Sequence, residues 1–338
     1  MIRPAITHYY AIAGRSLCIK ASDEWAAKLI QNFLRDFHLE PTAPISSPDY
    51  SISISSQELP PNVPQGLDTF EVAHGQCSTD GKRYYLALND SLVIVEPESS
   101  MHIWVNNTPR SRQPLALINL MVYMLEISLR RAGLYQLHGA GLVPPELNAA
   151  ALILGSSGSG KSTLTALLAS QGWSYMTDDA LLLSDEGGVI NARGIRIFFA
   201  ASETTLESCS LQRLTAAMGS TMLSDPNKRR LDPTVAFPNS FISSSVPRAL
   251  FFASITGKAA SEVVPISQAE TMSRLIRSNP WTSYDSFTAR DHLRVLNRLA
   301  TQCTAYSFCA GRDVLDSPLL AQTLLLPLVK QSASRTAK

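Results

Sequence analysis

The segment GSSGSGKST, residues 155–163, is the feature that most restricts how this chain can fold. It follows the apolar run AAALIL, which suits a buried strand, and it precedes STLTALLAS, which has the leucine spacing of an amphipathic helix. Leu164, Leu167 and Leu168 would face the core, and Gly172 stands where a helix commonly ends. The sequence therefore predicts a buried strand, a glycine-rich loop and a helix in direct succession.

The loop fits the Walker A pattern G-x-x-x-x-G-K-[ST]. Its glycines let successive backbone N–H groups turn toward phosphate oxygens, and the positive end of the following helix adds to the attraction. Lys161 would reach the β- and γ-phosphates, and the Ser162 hydroxyl would bind Mg²⁺. Because strand, loop and helix agree, we predict an ATP–Mg²⁺ site and not a flexible Gly/Ser loop. The predicted nucleotide-binding residues of the loop are Gly155, Ser156, Ser157, Gly158, Ser159, Gly160, Lys161, Ser162 and Thr163.

Two adjacent carboxylates follow a short helix after the loop, in WSYMTDDALLL. A carboxylate at a strand end beside a phosphate loop commonly holds Mg²⁺. Because side chains alternate along a strand, Asp178 and Asp179 can serve different partners, one the metal and the other an acceptor hydroxyl that needs a base. The alternative is a solvated Asp-Asp turn.

The segment YQLHGAGLV places His138 on a predicted strand immediately before the loop strand. A hairpin through PPELN would pair these two strands and bring His138 to one end of the sheet. If Asp178 lies at that end, His138 could tune the pKa of its carboxylate; otherwise His138 is a structural residue.

Three segments together resemble the catalytic domain of HPr kinase/phosphorylase and its HPr kinase-related homologues: HGAGLV, ALILGSSGSGKSTLTALLASQGWSYMTDDALLL and NARGIRIFF. The fold of that family also resembles ATP-dependent phosphoenolpyruvate carboxykinase. The resemblance covers about residues 130–200 and extends weakly to about residue 315. It implies an α/β fold with a P-loop kinase core of the HPr kinase or PEP carboxykinase-like type.

The resemblance also implies roles for single residues. Five loop residues would hold the nucleotide and Mg²⁺: Gly155, Gly158, Gly160, Lys161 and Ser162. Asp178 would be the base toward a seryl-type hydroxyl, His138 would modulate it, and Asp179 would serve the metal side, although these two aspartates could exchange roles. Arg193 and Gly194 match a later family segment.

Two departures from the family pattern bear on function. The metal-associated glutamate of the family falls at Asn191, a neutral residue, which puts a metal contact and the reverse, phosphate-removing reaction in doubt. The first 110 residues do not resemble the usual N-terminal domain of HPr kinase. A different front domain implies a different substrate.

The segment SDPNKRRLDPTVAFP, residues 224–238, holds the densest basic cluster of the chain. Its prolines argue against a long helix. A cationic loop can close over a triphosphate and neutralise charge during transfer, so we add Lys228 and Arg230 to the predicted nucleotide-binding residues. The alternative is a solvated surface loop.

Composition and charge indicate which partners and which cellular compartment to expect. The 338 residues have a formal net charge of +1, and without a long Lys/Arg run we expect no nucleic-acid partner. The longest apolar run, residues 115–129, is too short to span a bilayer and reads as a buried helix ending at Gly133, so we expect no membrane partner. The five cysteines have no zinc spacing, which favours a reducing cytoplasm.

The chain is long enough for two domains. We predict a smaller mixed α+β, β-rich domain over residues 1–110, which selects the substrate, and a P-loop HPr kinase-like catalytic domain over residues 111–338. The front domain could present an edge strand to an extended peptide. Assembly into a homo-oligomer, a dimer, is a further expectation.

The leading functional prediction is an ATP-dependent kinase. It would transfer the γ-phosphoryl group to a serine-like hydroxyl of a peptide, protein or small molecule, with Asp178 as the base and with His138 and Lys161 as the other catalytic residues. One alternative is a nucleotide hydrolase, in which the same carboxylate orients water. Another is a non-enzymatic switch, in which the nucleotide orders residues 201–240 for a partner.

Overall fold

The computed structural model describes residues 6–56, 60–72, 75–88, 90–97, 100–106, 108, 113–223 and 225–335. The chain divides into two compact units. Unit 1 ends at Leu134 and also contains Ser283–Arg290, and unit 2 comprises Tyr135–Thr282 and Asp291–Lys338. The boundary between the units therefore falls after Leu134 and not after residue 110, because the long helix that follows residue 110 packs with the first unit.

Up to Leu134, the described part of unit 1 contains a mixed sheet and two helices. Their bounds are β1 Ile6–Ile12, β2 Arg15–Ala21, α1 Glu24–Leu34, β3 Glu40–Pro41, β4 Tyr50–Ser55, β5 Asp68–Val72, β6 Gly75–Thr79, β7 Tyr84–Leu88, β8 Ser91–Val95, β9 Ser100–Trp104 and α2 Pro114–Arg131. The nine-stranded sheet has the order β3-β1-β2-β4-β9-β8-β7-β6-β5. Strand β4 is parallel to both β2 and β9, and the other neighbours are antiparallel.

Local sequence explains the elements of unit 1. Asp23 caps α1, because its carboxylate accepts a hydrogen bond from the Ala26 N–H at 2.9 Å. Helix α2 is the buried helix predicted near residues 115–129, and Gly133 follows it at φ +79°. The predicted strands around residues 84–104 are confirmed, with Asp90 in the turn between β7 and β8 at φ +67°. Asn89, the other residue of that predicted turn, lies outside the described residues.

Unit 2 contains the glycine-rich segment. Its elements are β10 Tyr135–Val143, β11 Ala150–Leu154, α3 Lys161–Ser170, β12 Ser174–Thr177, β13 Ala180–Glu186, β14 Val189–Gly194, β15 Phe199–Ala201, α4 Glu203–Ser208, a 3₁₀ helix Gln212–Ala217, β16 Met218–Thr221, β17 Arg229–Leu231, α5 Pro233–Ala236, β18 Ser244–Ser245, β19 Pro247–Ile255, β20 Glu262–Pro265, α6 Gln268–Arg277, β21 Thr304–Ala310, α9 Arg312–Asp316 and α10 Pro318–Arg335. Helices α7 Trp281–Tyr284 and α8 Ser286–Gln302 each have residues in both units.

The main sheet of unit 2 has the order β18-β14-β13-β10-β11-β19-β21-β20, and β12 also pairs with β10. Strands β11, β19 and β21 are parallel to one another, whereas β10 is antiparallel to β11. The predicted hairpin of β10 with β11 is therefore confirmed. A small sheet of order β15-β17-β16 lies within the 199–231 segment.

Residues alternate between the two faces of this sheet, so each face has its own core. Ile153, with Leu164 and Leu167 of α3, belongs to a cluster that α10 completes. Leu152, with Leu275 of α6 and Leu296 of α8, belongs to the other cluster. A sheet covered on both faces explains why AALIL reads as a continuous apolar run.

The fold is thus mixed α/β with two large mixed sheets. Helix α10, Pro318–Arg335, was not predicted from the sequence. Within the part of the chain that the structure describes, no helix combines the length and the apolar character needed to cross a bilayer.

Candidate functional site

The loop between β11 and α3 is shaped by glycines where side chains do not fit. Gly155 has φ +154°, and a Cβ there would lie 2.5 Å from the Ser159 Oγ and 2.6 Å from the Ala253 carbonyl oxygen. Gly160 has φ +88°, and a Cβ there would lie 2.7 Å from the Ile255 Cδ1. Because only glycine satisfies both positions, the chain can turn tightly from β11 into α3.

Lys161, the first residue of α3, folds back over this loop. Its Nζ donates to the carbonyl oxygens of Gly155 at 2.8 Å and Ser156 at 3.0 Å. Burial lowers the pKa of Lys161, and the charges of Asp179 and Asp178 offset part of that shift. The loop therefore holds a buried cation next to the amino end of a helix, which is an arrangement that attracts anions.

The strand register brings His138 to the same end of the sheet. Gly139 pairs with Leu154, the last residue of β11, so His138 lies level with the start of the glycine-rich loop. The Gly139 N–H also donates to the Asp179 carbonyl oxygen at 2.8 Å. His138 and the two aspartates therefore lie at the same end of the sheet.

The two aspartates have different surroundings. Asp178 is fully buried, and its carboxylate accepts hydrogen bonds from the Arg196 guanidinium at 2.7 Å and the Ala200 N–H at 3.0 Å. The carboxylate of Asp179 is 26% exposed and accepts from the Arg196 guanidinium at 2.7 Å. Its other oxygen lies 3.0 Å from the His138 Nδ1.

This contact fixes the tautomer of His138. A carboxylate only accepts, so Nδ1 carries the hydrogen and Nε2 keeps its lone pair. Although 45% of the His138 side chain is exposed, desolvation lowers its pKa, and the Asp179 charge offsets part of that effect. The lowered pKa favours the neutral ring, whose Nε2 can accept a proton.

A cavity of about 550 Å³ joins most of these groups. It has the volume of a small-molecule site. Ten of the predicted site residues line it: His138, Ser157, Gly158, Ser159, Gly160, Lys161, Ser162, Thr163, Asp179 and Lys228.

Four predicted site residues are absent from the described cavity wall. Gly155 and Ser156 act through their carbonyl oxygens on Lys161. Arg230 lies on β17 with its guanidinium 4.4 Å from the centre of the Phe198 ring. Asp178 is fully buried behind the wall, where its carboxylate accepts from Arg196 and the Ala200 N–H. Of the two aspartates only Asp179 lines the cavity, and the assignment of the base between them stays a prediction.

Lys228 lines the cavity and forms an ion pair with Asp225 at 3.5 Å. Asn191 lies on β14 opposite Ser184, with its amide 3.4 Å from the Glu186 carboxylate. Gly194 pairs with Leu181 at the other end of that hairpin. Asn191 therefore lies midway along this hairpin, whereas the aspartate pair immediately precedes the first strand of the hairpin.

The sequence analysis missed two features of the site. The first is Arg196, which donates hydrogen bonds to both aspartates. A buried carboxylate needs a cationic partner, and this rule could have pointed to an arginine near the pair. Ile255 and Leu315 also line the cavity, and no local motif marks them. We call His138, Asp178, Asp179 and Arg196 the charged side of the site, and Ile255 and Leu315 its apolar side.

The donor set is compatible with a nucleotide and Mg²⁺. Among the described residues, no group of three or more His, Cys, Asp or Glu side chains could hold a metal. Mg²⁺ commonly uses only one or two protein ligands together with substrate phosphates and water. Ser162 and Asp179 line the same cavity and supply a hydroxyl and a carboxylate oxygen.

No family model matches the chain, and no curated protein matches it. Among solved structures, the chain is similar to the HPr(Ser) kinase/phosphatase from Coxiella burnetii, with 13% sequence identity and a TM-score of 0.34 over 60% of this chain and 94% of that chain. A likeness of this size supports neither a family assignment nor a residue role, so membership of the HPr kinase family stays a prediction.

Proposed function

We propose that unit 2 is an ATP-dependent kinase that transfers a phosphoryl group to a hydroxyl. The observation that supports this most is that one cavity contains the glycine-rich loop with its buried Lys161 and, on its β10 wall, the His138–Asp179 pair. The loop and Lys161 would bind the phosphates. The His138–Asp179 pair would meet the acceptor.

In the proposed reaction the acceptor oxygen attacks the γ-phosphorus, the bond from that phosphorus to the β-phosphate oxygen breaks, and ADP leaves. The hydroxyl proton passes to the His138–Asp179 pair. Asp178 holds Arg196, and Arg196 in turn orients Asp179. Ser162 and Asp179 are the residues that would hold Mg²⁺, and the ion would neutralise phosphate charge.

Lys228 is proposed to complete the phosphate site. It lies on the cavity wall, and its charge contributes to the lowered pKa of Lys161, so the two ammonium groups act on each other. Such repulsion is relieved when a polyanion lies between them. Arg230 is proposed to act less directly, by stacking on Phe198.

The test uses γ-labelled ATP, Mg²⁺ and a desalted lysate with its small-molecule fraction. The wild-type protein is compared with Asp179→Asn and with the surface control Asp291→Asn, whose side chain is 50% exposed and pairs with Arg294. We expect label on a protein, peptide or metabolite with the wild type and the control, and at least about a hundredfold less with Asp179→Asn.

The other outcomes identify the alternatives. Label found only as inorganic phosphate would indicate a hydrolase. Label that stays on bound ATP would indicate a switch. Absence of ATP binding, measured by isothermal titration calorimetry on the wild-type protein, would refute the nucleotide site itself.

A further inference from the structure

Three loops of unit 2 lie at one edge of the sheet because the strands that precede them are parallel. Strands β11, β19 and β21 are parallel neighbours, so the segments that follow them start at the same edge. These segments are the glycine-rich loop, residues 256–261 and the start of α9. Ligands of open α/β sheets bind outside the carboxyl ends of such strands.

The charged and apolar sides lie on opposite sides of the glycine-rich loop. In the sheet, β10 is next to β11 on one side, and β19 followed by β21 is next to it on the other. His138 therefore lies on one side of the loop. Ile255, at the end of β19, and Leu315, in the helix that follows β21, lie on the other.

Ile255 is an apolar side chain in an unusual position. It is 45% exposed, yet it lines the cavity and packs against Gly160, where a Cβ would lie 2.7 Å from its Cδ1. Leu315 is only partly buried and lines the same cavity. Two partly exposed aliphatic side chains beside a phosphate loop form a surface for a flat apolar group.

This surface is held in place by hydrogen bonds that join the two loops. The Asp313 carboxylate accepts from the Ser261 hydroxyl at 2.6 Å and from the Ser261 N–H at 2.9 Å. The Ser261 hydroxyl oxygen in turn accepts from the Gly311 N–H at 2.8 Å. We call this set the Ser261–Asp313 clamp. It fixes residues 256–261 against α9 and so fixes Ile255 relative to Leu315.

We propose that the apolar side receives the nucleobase of the nucleoside triphosphate, and that it accepts adenine and guanine about equally. The inference rests on the proposed function, which places the terminal phosphate toward the His138–Asp179 pair. The nucleoside then extends from the loop in the opposite direction, toward Ile255 and Leu315. Adenine and guanine differ in the hydrogen-bonding groups at their edges, and a binding site distinguishes them by its own donors and acceptors. The side chains of Ile255 and Leu315 have neither a donor nor an acceptor, so they do not distinguish the two bases.

Binding measurements by isothermal titration calorimetry test the proposal without relying on catalysis. ATP, GTP and inorganic tripolyphosphate are titrated into the wild type, Ile255→Ala, Leu315→Ala and the control Val264→Ala. Val264 is 44% exposed on β20 and does not belong to the cavity wall, so it matches Ile255 in exposure.

We expect the wild type to bind ATP and GTP within about threefold of each other. Ile255→Ala should weaken both by about tenfold, because three half-buried carbon atoms lose their contact, while tripolyphosphate binding stays unchanged. Leu315→Ala should act in the same direction, Val264→Ala should have no effect, and Ile255→Leu should restore most of the affinity. Thermal melting of each variant shows whether it is folded.

Three results would overturn the inference. ATP binding that is unchanged in both Ile255→Ala and Leu315→Ala would place the base elsewhere. A preference of about a hundredfold for one purine would require polar recognition. If Ile255→Ala weakened ATP and tripolyphosphate binding equally, Ile255 would act only by shaping the glycine-rich loop. In each case the transfer assay with Asp179→Asn still decides the proposed function, whereas a wild type that binds neither ATP nor tripolyphosphate refutes both.

Discussion

On the β10 side of the glycine-rich loop, four ionisable side chains hold one another by hydrogen bonds of 2.7–3.0 Å. On the β19 side, two aliphatic side chains face the same cavity and are positioned by a clamp between two loops. The charged side is suited to changing bonds, because it places a proton acceptor beside neutralised carboxylates. The apolar side is suited to holding a group that does not react. A single loop can therefore separate binding from chemistry, because different strands lie on its two sides.

The largest effect is expected within the charged side, between its two aspartates. Asp178→Asn should lower the free energy of unfolding by about 3–5 kcal/mol, because it removes the charge from a fully buried pair with Arg196. Asp179→Asn should cost about 1 kcal/mol, because the Asp179 carboxylate is partly solvated. Urea denaturation of both variants measures the difference. Equal losses would mean that burial does not distinguish the two aspartates.

A smaller effect is expected where the apolar side meets the loop. Gly160→Ala should lower the free energy of unfolding by about 1–2 kcal/mol because of the backbone strain at φ +88°. It should lower it further because the new Cβ would clash with Ile255. Gly158→Ala is the matched control, since Gly158 has φ +80° and no atom within 4 Å of its Cβ position. Urea denaturation should show the larger loss for Gly160→Ala, and adding Ile255→Ala should remove the excess. An excess that persists in the double variant would show that Ile255 does not pack on the loop.

The smallest effect concerns the Ser261–Asp313 clamp. Hydrogen bonds from the Ser261 hydroxyl and N–H lower the pKa of Asp313 below its ordinary value. The clamp therefore stabilises the fold above that ordinary value, about 3.9, and its contribution is lost as the pH falls through the lowered pKa. The thermal midpoints of wild type and Asp313→Asn should differ by a constant amount from pH 8 to about pH 5 and converge near pH 2. A difference that varies between pH 5 and pH 8 would point to another group.

The sequence predicted the parts of the site that local patterns encode. The strand, glycine-rich loop and helix over residues 150–170 follow from apolar runs and glycine spacing, and the hairpin that places His138 follows from the turn PPELN. The difference in exposure between Asp178 and Asp179 could not be predicted, since adjacent carboxylates look alike in a sequence and only the folded chain brings the Ala200 N–H to Asp178.

The apolar side of the site could not be predicted from the sequence either. Ile255 and Leu315 reach the loop only because β19 and β21 run parallel to β11, and such pairing between distant segments leaves no local periodicity. Helix α10 was missed for another reason. It contains Pro327, a residue that usually ends a helix. The predicted domain boundary differs from the boundary between the two units because α2 adjoins β10 in sequence but belongs to unit 1.

In the proposed kinase, the charged side performs the reaction and the apolar side only binds the nucleotide. The most direct test measures steady-state phosphoryl transfer to the acceptor found with labelled ATP, in Asp179→Asn and Ile255→Ala. We expect that Asp179→Asn binds ATP but has a kcat at least about a hundredfold lower, and that Ile255→Ala keeps its kcat with a KM for ATP about tenfold higher. If Ile255→Ala instead lowers kcat as much as Asp179→Asn does, the division between the two sides is wrong.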